Sequence, residues 1–207
     1  MPTSRIFLCF GRVVTGLLSW RGCFWALLAC TLLASPATAA VSDEDFLALC
    51  EKGSAQQIMD AIQDGANVNA RDRRGKTPLM RAAWKASNAE AAAALIKAGA
   101  DVNASDDNGW TALMEATCSY DAKMPPPLIQ AGADVHARNN NGSTALMEAA
   151  RDNPDPFDRK ATIPALLALG ADPKAKDNSG KMAIDYAREN VELQDTDVLK
   201  KLEEVSR

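Results

Sequence analysis

The chain has 207 residues, 24% of them charged and 5% aromatic, with 27 acidic side chains against 23 basic ones and a formal net charge of −4. A mildly acidic, aromatic-poor composition makes a poor candidate for nucleic-acid binding, and no nucleic-acid partner is expected.

The segment 1–39 reads as an export signal. Arg5, Arg12 and Arg21 supply positive charge, and no acid precedes Asp43. An apolar run from Cys23 to Ala34 follows, then the small residues Ser35, Pro36, Ala37, Thr38, Ala39 and Ala40, with Ala37 and Ala39 in the spacing a signal peptidase cuts. Cleavage there makes Ala40 the mature N-terminus and sends the protein to a bacterial periplasm or outside the cell. The alternative is an uncleaved anchor in the inner membrane: residues 6–34 are weakly apolar throughout, although the apolar run is shorter than the ~20 residues of a membrane span. Loss of the three arginines leaves 20 basic residues against the same 27 acids, so the mature chain carries about −7. The remainder, about 168 residues long, is enough for one domain.

A period of about 33 residues organises everything after the signal. Gly65-Ala66-Asn67-Val68-Asn69-Ala70 recurs as Gly99-Ala100-Asp101-Val102-Asn103-Ala104, as Gly132-Ala133-Asp134-Val135-His136-Ala137, and, altered, as Gly170-Ala171-Asp172-Pro173-Lys174-Ala175. A second marker keeps the same phase: Gly75-Lys76-Thr77-Pro78-Leu79, then Gly109-Trp110-Thr111-Ala112-Leu113, Gly142-Ser143-Thr144-Ala145-Leu146 and Gly180-Lys181-Met182-Ala183-Ile184. Two markers in one register resemble the ankyrin-repeat family over residues 42–207. The resemblance implies an all-α solenoid of stacked helix-turn-helix units joined by short β-turn fingers. Its units are 42–71 (without a finger), 72–105, 106–138, 139–176 and 177–207. The residues agree with that fold. Thr77 is placed to cap an inner helix and Pro78 to occupy its first position, where a missing N–H is harmless. Gly99 ends an outer helix, and Asp106-Asp107-Asn108-Gly109 makes a tight finger turn.

Three features depart from the family pattern. Met80, Met114 and Met147 stand where histidine usually follows Thr-Pro-Leu, which predicts softer, more apolar packing. Met124-Pro125-Pro126-Pro127 fall in the third outer helix and predict a short or displaced one. The fourth unit is longer, with an extended loop predicted over Arg151–Lys160.

No reactive constellation emerges. The mature chain's one histidine, His136, stands where Asn69 and Asn103 stand in earlier units and reads as a turn residue. Asp106, Asn108, Gly109 and Glu115, and again Asn139, Asn141, Gly142 and Glu148, imitate a calcium loop, but Ala104 and Ala137 occupy the acidic first position such a loop needs. Cys50 and Cys118 fall at the same point on inner helices two units removed. At ~8–10 Å per packed helix they lie about 20 Å apart, against the ~7 Å a disulfide allows. The chain is thus expected to be neither an enzyme nor a cofactor or metal carrier, although His136, the cysteines and the methionines leave a small-molecule or haem carrier as a minor alternative.

The resemblance implies a protein-binding module, and a monomer, that holds a protein partner on its finger tips and the concave side of its inner helices. Carried onto this chain, that surface comprises Arg73, Arg74, Lys76, Arg81, Trp84 and Lys85 at a basic end. Asp107, Trp110, Glu115, Glu148, Arg151 and Asp152 form a more acidic one. A dipolar protein partner steered by charge and anchored on tryptophan is the expected ligand.

Overall fold

The computed structural model describes residues 41–84, 89–118, 125–151, 159–194 and 196–207. The signal segment, and with it the predicted cleavage site, lies outside the described residues, as do Lys85, Asp152 and most of the predicted 151–160 loop.

Ten helices alternate as inner and outer members of five pairs among the described residues. The pairs are α1 (Asp43–Lys52) with α2 (Ala55–Gln63), α3 (Pro78–Trp84) with α4 (Ala89–Lys97), and α5 (Ala112–Thr117) with α6 (Pro125–Gln130). Then come α7 (Ala145–Ala150) with α8 (Arg159–Ala168) and α9 (Ala183–Glu189) with α10 (Asp197–Ser206). Inner helices stack in the order α1, α3, α5, α7, α9, and behind them α2 packs on α4, and α6 and α10 pack on α8. No strand occurs among the described residues; a single bridge, Ser105 to Thr111, marks a finger.

The core sits between the two stacks. Leu79, Leu113 and Leu146, in one register, are fully buried, and so are Met80, Met114 and Met147. The methionines therefore fill space between units as flexible apolar packing. Ala82 and Ala83, and again Ala149 and Ala150, are inaccessible to solvent and let neighbouring inner helices approach.

Caps follow the residues predicted to make them. Pro78 opens α3, and Thr77 Oγ1 accepts from Met80 N–H at 3.4 Å. Gly99 has φ 91°; its N–H bonds to Ile96 O at 3.0 Å and the Ala100 N–H to Leu95 O at 3.0 Å. Those two bonds satisfy carbonyls that the end of α4 would otherwise leave orphaned.

The third outer helix is short in its described part, with six residues. Its three prolines open the described stretch Pro125–Gln130, and prolines in the first turn of a helix remove no intrahelical bond. Arg159 and Lys160, expected in the loop, belong to α8. The disruptive proline is instead Pro164, inside α8 on its exposed side. It removes one helix bond, worth about 3 kcal/mol against alanine, partly offset by about 1 kcal/mol from stiffening the unfolded chain. Pro164→Ala should therefore stabilise the domain by about 2 kcal/mol, read as a rise in the urea midpoint; an unchanged midpoint would mean that α8 already bends freely there.

Candidate functional site: the groove beside the first finger

Each finger is built by one side chain that works in two directions. Asp72, Asp106, Asn139 and Asp177 open the four fingers. In each, Oδ1 accepts from the backbone N–H groups two and four residues on, at 2.8 to 3.0 Å. The second polar atom faces the inner-helix residue nine positions later. Arg81 Nη2 donates to Asp72 Oδ2 at 2.5 Å, Asn139 Nδ2 donates to Glu148 Oε1 at 3.4 Å, and the Tyr186 hydroxyl donates to Asp177 Oδ2. Burial raises the carboxyl of Asp72, but the hydrogen bond from Arg81, the Lys76 and Arg74 N–H groups and the Arg81 charge outweigh it and hold it below the ordinary carboxylate value. Burial likewise raises Asp177, and Tyr186 with the Lys181 and Ser179 N–H groups again outweighs it.

The second finger breaks this complementarity. Asp106 stands nine positions before Glu115, so two carboxyl groups meet where the other units pair a donor with an acceptor. Glu115 is 2% exposed, and Lys76 reaches it from the preceding finger, with Nζ 2.5 Å from Oε1. Burial pushes the Glu115 carboxyl up; Lys76 opposes that shift and Asp106 adds to it.

Fingers also clip to one another. The N–H of Asp107 donates to Arg74 O at 3.0 Å, that of Asn140 to Asn108 O at 2.9 Å, and that of Asn178 to Asn141 O at 3.0 Å. Side-chain amides reinforce the ladder: Asn140 Nδ2 donates to Asp107 O and Asn178 Nδ2 to Asn140 O. Arg71 and Arg138 each place one guanidinium nitrogen on a carbonyl of their own finger and one of the next. Asn69 and Asn103 bridge forward through both amide atoms, to Gly99 O and Asp101 N–H and to Gly132 O and Asp134 N–H. His136 keeps the turn's backbone bond to Asp134, but its ring makes no such bridge. It replaces asparagine in the turn without replacing its forward bond.

A groove of about 460 Å³ opens where this ladder starts. One wall is the first finger, with Arg71, Asp72, Arg73, Arg74 and Lys76; the other is α1, with Glu44, Leu47, Ala48 and Glu51; Arg81 lies between them. A smaller hollow of about 140 Å³ shares Glu51, Lys76 and Arg81 and ends at Trp84, which is 45% exposed. Arg81 is neutralised inside the wall by Glu51 and Asp72. Among the described residues Arg73 pairs only with Glu44, at 4.0 Å with both side chains largely in solvent, a pair worth almost nothing. The Arg74 side chain has no ionic partner among the described residues.

The structure thus gathers Arg73, Arg74, Lys76, Arg81 and Trp84 into one continuous surface. It does not assemble the predicted acidic end. Glu115 and Glu148 are 2% and 6% exposed and engaged with Lys76, and with Asn139 and Arg151. Arg151 also lies 4.3 Å over the Tyr186 ring and donates to Ser143 Oγ at 3.2 Å, so it braces two units. Trp110 is half-buried against the core, and Asp107, though exposed, belongs to the finger ladder. The groove's α1 wall was missed. Glu44, Leu47, Ala48 and Glu51 have the i, i+3, i+4, i+7 spacing of one helix face, and Leu47 and Glu51 lie one repeat before Arg81 and Lys85. Extending the inner-helix register one unit back would have found them.

No disulfide joins Cys50 to Cys118. Burial pushes the Cys50 thiol up to about 12, which keeps it protonated.

Stacked helix pairs and clipped fingers define a helical-repeat solenoid. Residues 46–137 match the family described as ankyrin repeats, in three copies. Residues 46–137 thus belong to the ankyrin-repeat family, whose members are generally protein–protein interaction modules. A search of curated proteins finds none that matches.

Proposed function

We propose that this chain is a non-catalytic protein-binding module, exported to the periplasm, that grips its partner with the first finger and the concave faces of α1 and α3. The observation that carries the reading is the groove, with exposed Arg73 and Arg74 and an apolar floor at Leu47 and Ala48, next to a smaller hollow that presents Trp84. Surplus charge for steering and an aromatic anchor for affinity are the two parts a protein contact needs. The basic, apolar and small-residue order of residues 1–39 supports export.

The test is a crosslinked pull-down from periplasmic extract, with the tagged full chain beside its Trp84→Ala variant. One protein enriched severalfold by the native chain and lost with the variant is the expected result. Identical recoveries would exclude this face as the working surface. Sequencing the recovered bait's N-terminus decides export at the same time: a start near Ala40 is expected, and an intact Met1 in the membrane fraction would favour an inner-membrane anchor instead.

A further inference from the structure

We infer that the leading edge of the first finger receives an extended, carboxylate-rich segment of the partner protein, which continues the finger ladder by one rung. The inference rests on the protein-binding reading and specifies the chemistry of the partner.

The backbone comes first. The ladder donors are Asp107, Asn140 and Asn178, each giving its N–H to the finger before it. Arg73 holds the equivalent position in the first finger, one repeat before Asp107. No finger precedes α1 among the described residues, and the Arg73 N–H has no acceptor there. An open rung of this kind is what an added extended chain uses, with main-chain bonds for affinity and side-chain contacts for specificity.

Side-chain chemistry then selects the occupant. At the two tip positions the later fingers carry Asp107 and Asn108, Asn140 and Asn141, and Asn178 and Ser179. The fold therefore places no demand for cations there, yet the first finger has Arg73 and Arg74 in a chain whose net charge is −4. Arg71 is not counted, because its guanidinium is spent on carbonyls as that of Arg138 is. Two adjacent guanidinium groups without effective partners fit carboxylates presented along an extended strand. Leu47 and Ala48 form a floor for an alternate apolar side chain. The chain's own residues 35–40 contain no carboxylate and do not match this edge.

The experiment measures anisotropy of fluorescein-labelled peptides, alternating glutamate and leucine, against the full-length protein. Glutamine–leucine and lysine–leucine peptides of equal length serve as controls, and a polyphosphate of similar charge as competitor. The glutamate peptide should bind, weaken with added salt, and lose about tenfold or more in Arg73→Glu/Arg74→Glu. Because both arginines are exposed, that variant should keep its thermal midpoint. Equal binding of the glutamine peptide, no binding at all, or indifference to charge reversal would overturn the inference. So would binding of polyphosphate alone, a dimer dissociated by the same reversal, or a photo-crosslinker at position 73 that captures residues 35–40. If the peptide fails while the pull-down still loses its protein with Trp84→Ala, the protein-binding reading stands and only the acidic partner falls.

Discussion

Gly109→Ala is expected to destabilise the domain by about 3 kcal/mol, whereas Gly99→Ala costs only about 1 kcal/mol. Both glycines are left-handed, with φ 77° and 91°, so both substitutions carry the same conformational penalty. They differ in what the new methyl group meets. At Gly99 nothing lies within 4 Å of the added Cβ. At Gly109 it would sit 2.8 Å from Asn140 Oδ1, 2.9 Å from Asn140 N and 3.0 Å from Asn139 Cα. That neighbour is the backbone of the next finger, pinned by the Asn140 N–H to Asn108 O bond, so relief requires opening the ladder between the third and fourth units. Urea titrations of the two variants measure the difference directly. Equal losses would show that the fingers do not press on one another, and that the stack is held by its helices alone.

Lys76→Ala should cost about 3 kcal/mol near neutral pH and far less in acid, because it strands the buried Glu115 carboxyl beside Asp106. The sign follows from Glu115, whose folded value is raised above the ordinary 4.5 by burial, with Lys76 opposing and Asp106 adding to the rise. Between the ordinary and raised values the native state holds a proton that the unfolded chain releases. Stability therefore falls as pH rises through that window. Removing Lys76 deletes the opposing interaction and extends the window upward. The variant's deficit should be small near the ordinary glutamate value and grow toward neutrality. Asp72 and Asp177, both held low, stay charged until more acidic pH and do not mask the trend. Adding Glu115→Gln to Lys76→Ala should recover most of the loss, since an amide can sit beside Asp106 uncharged. Thermal melts at the two pH values decide the matter: a pH-independent deficit that Glu115→Gln fails to rescue would assign Lys76 a packing role.

The repeat was legible in the sequence because its signals are local. A glycine that must be left-handed, an aspartate that caps its own turn and a threonine before a helix act within a few residues, so each marker survives in the string of letters. Period and phase then fixed the all-α solenoid and its fingers. They also located Arg73, Arg74, Lys76, Arg81 and Trp84 on the side where the groove opens. Register gives position but not exposure. Glu115 and Glu148 share the phase of Arg81, and only their neighbours decide that they are buried: Lys76 comes from the preceding finger and Asn139 from the start of its own. The α6 prolines show the same limit from the other side. Their effect turns on how many helical residues precede Pro125, which packing against neighbouring units decides and the string of letters does not. The groove itself needed two walls from different units, α1 and the first finger, brought together by stacking. Local chemistry determined the repeat; packing between units determined which of its charges remain free to meet a partner, because desolvation and pairing depend on atoms distant in the chain.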